Sequence, residues 1–531
     1  MDRLQDFKNK GKTSTVRNRR RENAFELRKQ KRFEQTQKRR NVVMADQENN
    51  DENTTTATNG TNDKALVPVD NANKKPQLSL ENLREALKVI LKADDFDEAF
   101  KATQLCRRIL SKEKFTKPAT KIVIESGAVS RLVEFLSVPH DDLLYEALWA
   151  LTNVSSGTSA DTMAVVSAGA IPYLGNLLSR ESEKVREQAI WCLGNIAGDG
   201  PEPRDLLLGA GIMEPLMATI YSNPSTEMLS TATWVLSNLC RGKKPEPNFE
   251  IVKQAIPTFL QLAQHEDVNV QADAMWGLSY LSDGDNDKIA ALIEAGGAPI
   301  VVNLLTHSSI RILTPCIRCV GNIVTGTNEQ TQVPIDLGCL QHFSRLIQHE
   351  KANIRKETCW ALSNIGAGTR SQVHALIESN VVPSLLYCLA HGDFRTRKEA
   401  CWAVTNISNN GCDEDVRYLI SQGCIKPLVD LLTVQDVKVV EIALDALRNV
   451  LRVSQMADGS NPSADWIEEA GGVDHIEMLQ QHENDTIYEL ALDIVESYFA
   501  EEDEDVGDIA PQMTESGFAL AAPTQAAPFS L

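Results

Sequence analysis

The segment WALTNVSSG at 149–157 returns as WCLGNIAGD at 191–199, WVLSNLCRG at 234–242, WALSNIGAG at 360–368 and WAVTNISNN at 402–410. A Trp and an Asn four residues apart therefore recur along the chain. Aligned on that Asn, the register runs Asn153, Asn195, Asn238, Tyr280, Asn322, Asn364, Asn406 and Asn449, every step being 42 or 43 residues. A second landmark has the same period: a glycine at 127, 169, 211, 296, 338 and 423 opens an apolar stretch such as SGAVSRLVEFL or AGAIPYLGNLL. Within 182–197, Val185, Ala189, Leu193 and Ile196 follow the three- and four-residue spacing of a buried helical stripe. Each repeat thus holds at least two helices. The glycines at 157, 242, 284, 326 and 368, with Asp199 and Asn410 at the equivalent places, are expected to end the second helix in the left-handed conformation.

A period near 42 residues built from short helices is the armadillo/HEAT signature and predicts an all-α fold, here taken as a right-handed armadillo-repeat superhelical solenoid, in which each repeat buries its apolar face only against its neighbours. Composition divides the 531 residues into a basic arm (1–41), a flexible linker rich in Asn, Thr and Asp (42–77), ten armadillo repeats (78–503) and an acidic, disordered tail (504–531). The linker has too little apolar surface to fold. The net charge of -20 conceals an opposition: residues 1–40 carry 15 Lys and Arg against 5 Asp and Glu, whereas the remainder carries 38 against 68. Arm and body attract one another. No apolar run reaches the roughly 18 residues of a membrane span, and MDRLQDFKNKGK at the start has no apolar segment of a secretory signal. Most of the eleven cysteines fall in apolar helical segments and are expected as buried, reduced thiols.

Residues four apart share one helix face, so the Trp and Asn residues of successive repeats line one surface. Six of the seven tryptophans, Trp149, Trp191, Trp234, Trp276, Trp360 and Trp402, hold this position. Arg318 and Asp445 stand in the same register, where a buried unpaired charge would cost several kcal/mol. That argument predicts a solvent-facing position, as does Tyr280 in an Asn slot. An Asn amide can pair with the N–H and C=O of an extended peptide whatever its side chains. Parallel indoles form slots for long aliphatic stems with cationic heads, each worth roughly 0.5 to 2 kcal/mol. Glu146, Asp273, Glu357 and Glu399, one turn from their tryptophans, and Asp199 beyond Asn195 would reward that charge. Helices about 8 to 10 Å apart match a strand advancing about 3.3 Å per residue, so neighbouring slots take side chains two or three residues apart. Complete Trp/Asn pairs occur in repeats two to four and again in seven and eight, which predicts two sites, the first larger.

In these residues the chain resembles the importin alpha (karyopherin alpha) family, adaptors for basic nuclear localisation signals. The likeness extends over the basic arm, the ten repeats, the interruption in repeats five and six, and the acidic tail. It implies a major signal-binding site of Trp149, Asn153, Trp191, Asn195, Trp234, Asn238 and Asp273, with Gly157, Thr162, Gln188 and Asp199 shaping the pocket for a key lysine. It implies a minor site of Arg318, Asn322, Glu357, Trp360, Asn364, Glu399, Trp402 and Asn406. Asn328 stands where the family commonly has Asp, and Lys112 where Arg is common.

The resemblance makes residues 1–41 the segment that binds importin beta, with the clusters at 19–21 and 38–41 (Lys38, Arg39, Arg40, Asn41) imitating a localisation signal. The 36-residue linker reaches roughly 30 to 36 Å, so the arm faces the groove at an effective concentration near mM. An arm affinity on the order of 10 µM would then close the groove by about 2.7 kcal/mol. The family further implies cargo proteins with mono- or bipartite basic signals, recycling by an exportin with RanGTP, and shuttling between cytoplasm and nucleus. No phosphate loop, dinucleotide fingerprint, paired-histidine metal helix or nucleophile elbow occurs, so neither an enzyme nor a cofactor or metal is expected. The lone CxxC of Cys316 and Cys319 reads as core thiols. The arm is basic enough for phosphates, but the acidic body argues against nucleic acid. A scaffold of the adhesion type would instead favour acidic partners.

Overall fold

The computed structural model describes residues 78–499, 512–514 and 517–519. The arm, the linker and most of the tail, including Lys38, Arg39, Arg40 and Asn41, lie outside the described residues. Each repeat ends in its longest helix: α1 (Phe96–Leu110), α2 (Asp141–Val154), α3 (Glu183–Asp199), α4 (Thr226–Leu239), α5 (Val268–Leu281), α6 (Ile310–Ile323), α7 (Ala352–Gly366), α8 (Phe394–Asn410), α9 (Val437–Ser454) and α10 (Asp485–Tyr498). Two shorter helices precede most of them, as Ser159–Ser167 and Ala170–Leu177 precede α3. The third helix per repeat was not legible in the sequence. Side chains of Asp95, His140, Ser225, Asp267, Asp393, Asp436 and Asn484 cap α1, α2, α4, α5, α8, α9 and α10, each cap contributing about 0.5 to 2 kcal/mol.

The described residues form two compact halves that divide between Val252 and Lys253. In the N-terminal half α1 to α4 pack each on the next, and in the C-terminal half α5 to α10 do the same. The stripe on α3 is buried as its spacing predicts, Val185, Ala189, Leu193 and Ile196 all lying in the core. No single helix among the described residues is long and apolar enough to cross a membrane. The tail contributes a short antiparallel pair, β1 (Gln512–Thr514) against β2 (Gly517–Ala519), with Met513 opposite Phe518. Cys316 and Cys319 are fully buried on α6, and burial pushes the Cys319 thiol up to about 12.

The left-handed conformation expected of the glycines after the long helices falls mainly on the other glycine series. Left-handed backbone occurs at Gly127, Gly169, Gly211, Gly296, Gly338 and Gly423, between the two short helices, and Asn380 fills the same register with φ 58°. Of the glycines beyond the long helices, Gly242 alone among 157, 242, 284, 326 and 368 has positive φ. The others leave room for a side chain folding back. A Cβ on Gly157, Gly326 or Gly368 would lie 2.3 Å from Asp161 Oδ2, 2.1 Å from Gln330 Oε1 or 2.2 Å from Gln372 Oε1. Those three oxygens accept the backbone N–H of Thr158, Thr327 and Thr369, completing capping boxes at the next helix.

Candidate functional site

In the N-terminal half, α2, α3 and α4 carry Trp149, Trp191 and Trp234 at one register and Asn153, Asn195 and Asn238 one turn further on. The indoles are more enclosed than the sequence predicts. Trp149 and Trp234 are 8% and 9% exposed, and Trp191 is half-buried. Trp191 and Trp234 lean on one another, ring centroids 5.6 Å apart at 49°, so they touch rather than frame an open parallel slot. Trp234 is seated by a residue the sequence reading passed over: a Cβ on Gly194 would fall 2.0 Å from its ring. The same holds in the C-terminal half, where a Cβ on Gly321 would meet the Trp360 ring at 2.1 Å. Thr152 and Ser363 take the glycine's place before Trp191 and Trp402, and those two indoles are the shallower ones.

The Asn amides have a dual use. Asn195 Nδ2 donates to the Thr152 carbonyl at 3.1 Å, Asn238 Nδ2 to Gly194 at 3.4 Å, Asn322 Nδ2 to Ser279 at 2.9 Å and Asn406 Nδ2 to Ser363 at 2.6 Å. These bonds tie each long helix to its predecessor, about 0.5 to 1.5 kcal/mol apiece. Asn322 Nδ2 donates a second time, to Ser282 Oγ at 3.2 Å, whereas an amide that gives one N–H keeps a second N–H and a carbonyl. Asn153 Nδ2 instead donates to Ser111 Oγ at 3.1 Å. Asn364 is the exception: its buried Nδ2 has no hydrogen-bond partner among the described residues.

The corner expected to shape a lysine pocket forms where α2 ends. Thr162 Oγ1 donates to the Ser155 carbonyl at 2.9 Å, Gln188 Nε2 to Thr152 Oγ1 at 2.9 Å, and Ser159 Oγ to Asp199 Oδ1 at 3.1 Å. The carbonyl end of α2 and the Asp199 carboxylate both favour a cation. A further acidic group, missed in the sequence, lies one turn before Trp191: burial, and then Glu183 and Glu227, raise the Glu187 carboxyl above its ordinary range.

The solvent-facing position argued from Arg318 is corrected by the structure. Arg318 is 6% exposed. It pairs with Glu357 of α7 and stacks on Trp360, its Cζ 4.6 Å from the ring centroid. The sequence argument assumed an unpaired charge, and the partner stands 39 residues away. Asp445 is half-buried and pairs with Arg448 at 2.7 Å. Glu146 is engaged likewise: Arg107 of α1 donates to it through Nε at 2.7 Å and Nη2 at 3.1 Å, with Cζ 4.1 Å from the Trp149 ring. Glu357 and Glu146 are thus held by the chain's own arginines. Asp273 is buried on α5, in the C-terminal half, where Trp276 stacks on Tyr280 at 6.0 Å. Glu399 differs, since its buried Oε2 has no hydrogen-bond partner among the described residues. The outer face of Trp402 carries Lys438, 6.0 Å from the ring.

A family model described as "Importin beta binding domain" matches residues 3–104. "Armadillo/beta-catenin-like repeat" matches eight segments between 116 and 452, and "Atypical Arm repeat" matches 461–512. Importin subunit alpha-3 of Caenorhabditis elegans is 49% identical over 94% of this chain and 92% of its own length. Importin subunit alpha-3 of Arabidopsis thaliana is 41% identical over 94% and 92% respectively. The crystal structure of an engineered protein, 27% identical, superposes with a TM-score of 0.71 over 78% of this chain and 98% of its own. With relatives matched nearly end to end and an arm model preceding the repeats, the chain belongs to the importin alpha family of nuclear import adaptors, binding scaffolds rather than enzymes.

Proposed function

We propose that the chain carries basic nuclear localisation signals as extended peptides along two indole ladders, Trp149/Trp191/Trp234 and Trp360/Trp402. Importin beta takes residues 1–41, and the basic cluster Lys38, Arg39, Arg40 and Asn41 competes for the ladders until importin beta removes it. Cargo release in the nucleus, return by an exportin with RanGTP and shuttling between cytoplasm and nucleus belong to the same proposal, and family membership supports them. The observation that carries the ligand class is that two of the buried polar atoms lacking a partner among the described residues, Asn364 Nδ2 and Glu399 Oε2, belong to the C-terminal ladder. Asn364 Nδ2 wants an acceptor, and Glu399 Oε2 wants a cation or donor. Leaving such groups unpaired costs about 1 to 3 kcal/mol each. An extended chain with backbone carbonyls and lysine or arginine side chains satisfies both, and an acidic chain satisfies only the first.

Fluorescence anisotropy tests the reading with a lysine-rich peptide and its charge-reversed copy, on the full chain and on the chain lacking residues 1–70. The basic peptide binds and the reversed copy does not, and removing the arm tightens binding by up to about a hundredfold. Equal affinity for the two peptides would refute the ligand class. Unchanged affinity without the arm would refute self-competition alone.

A further inference from the structure

Arg107 and Arg318 are built alike. Arg107 lies 42 residues before Trp149, and Arg318 lies 42 residues before Trp360, so each occupies the Trp register of the repeat preceding a ladder. Each reaches forward 39 residues to a buried glutamate, Glu146 or Glu357, and lays its guanidinium over the next repeat's indole, at 4.1 and 4.6 Å. Arg107 and Glu146 are 9% and 5% exposed, and Gln104 Nε2 adds a 3.2 Å bond to the same carboxylate. A flat cation on an indole face, paired bidentately with a carboxylate, is the arrangement a ligand's arginine would make. At Trp149 the chain supplies that cation itself.

We infer that Arg107 is the resident occupant of a cation subsite formed by Trp149 and Glu146, and that it sets where the first ladder stops. This rests on the reading of the ladders as cation-selecting. With Arg107 in place, an arriving side chain meets a filled position, and the basic stretch read in the N-terminal half ends one step short. Without it, the indole and the carboxylate accept one more basic side chain, two or three residues further along an extended peptide.

The test uses the full chain, in which competition from the arm lowers all affinities alike and cancels in ratios. A lysine-rich core peptide is extended by two residues at either end, with Arg or with Ala at the outer position. In Arg107→Ala, one of the two Arg-extended peptides binds about 3- to 30-fold tighter than its Ala-extended counterpart. In the unsubstituted chain, and in Arg108→Gln, which loses the same charge from the same helix, that ratio stays below about twofold. Should Arg107→Ala unfold, Arg107→Gln keeps a hydrogen-bond donor for Glu146 while clearing the Trp149 face, and carries the same expectation. A ratio equal in all the proteins would overturn this inference and leave the ladders intact. Failure of the core peptide to bind any of them would overturn the ladders and the inference together.

Discussion

The two ladders begin alike and end differently. Each opens on an arginine that fills the first indole face, and each has one deep ring seated on a glycine, Trp234 over Gly194 and Trp360 over Gly321. In the N-terminal ladder Asn153, Asn195 and Asn238 each donate an N–H to the preceding repeat. In the C-terminal ladder Asn406 is tied in the same way, but Asn364 Nδ2 and Glu399 Oε2 are buried with no partner among the described residues, and Lys438 of α9 stands 6.0 Å from the far ring. One register therefore serves two ends. Where its polar groups pair with the neighbouring repeat it stiffens the stack, and where they do not it retains free energy for a ligand.

The largest effect comes from breaking the resident ion pairs. Glu357→Ala leaves Arg318 charged and buried and should destabilise the C-terminal half by about 3 to 5 kcal/mol, read as a lowered urea midpoint. Arg318→Met with Glu357→Leu should recover most of that loss. Next come the glycine seats: Gly194→Ala puts a methyl group inside the Trp234 ring. It should cost about 1 to 3 kcal/mol of stability and weaken peptide binding in the N-terminal half, and Gly321→Ala should do the same in the other. The amides then separate the halves. Asn195→Ala should cost about 0.5 to 1.5 kcal/mol of stability, whereas Asn364→Ala should stay within about 0.5 kcal/mol while still weakening the basic peptide. Equal stability losses would show that the two amides are used alike.

The smallest effect is a pH dependence confined to the N-terminal ladder. The Glu187 carboxyl is raised by burial and by Glu183 and Glu227. A bound cation favours the carboxylate and lowers that value in the complex. Affinity is therefore highest above the raised value and falls as pH drops through it, levelling off below the value in the complex. The slope should appear in anisotropy titrations from the ordinary carboxylate range upward and flatten in Glu187→Gln.

The repeat length, the long helices and their buried stripes were legible because period and amphipathicity are local properties of a stacked array. So were the Trp and Asn positions. Their surroundings were not. Whether Arg318 is an exposed charge or a buried pair depends on Glu357, one repeat away, and spacing along a single helix does not reveal it. The same distance hid Arg107, although its place 42 residues before Trp149 was the available signal. The glycines after the long helices were misassigned because a glycine can serve either a left-handed turn or the space of a neighbour's side chain, and composition does not separate the two. For the four ladder indoles that follow a repeat carrying the Asn, depth goes with the residue before that Asn: Gly194 and Gly321 admit Trp234 and Trp360, whereas Thr152 and Ser363 precede the shallower Trp191 and Trp402.

The central claim, that the ladders select cations along an extended chain, is tested most directly by titrating a lysine-rich peptide and its glutamate copy into the full chain while following tryptophan fluorescence. The account predicts a saturable change with the lysine peptide alone, reduced by about 5- to 150-fold in affinity in Trp234→Ala. Binding of the glutamate copy with comparable affinity, or lysine-peptide binding indifferent to Trp234→Ala and Trp360→Ala together, would contradict it.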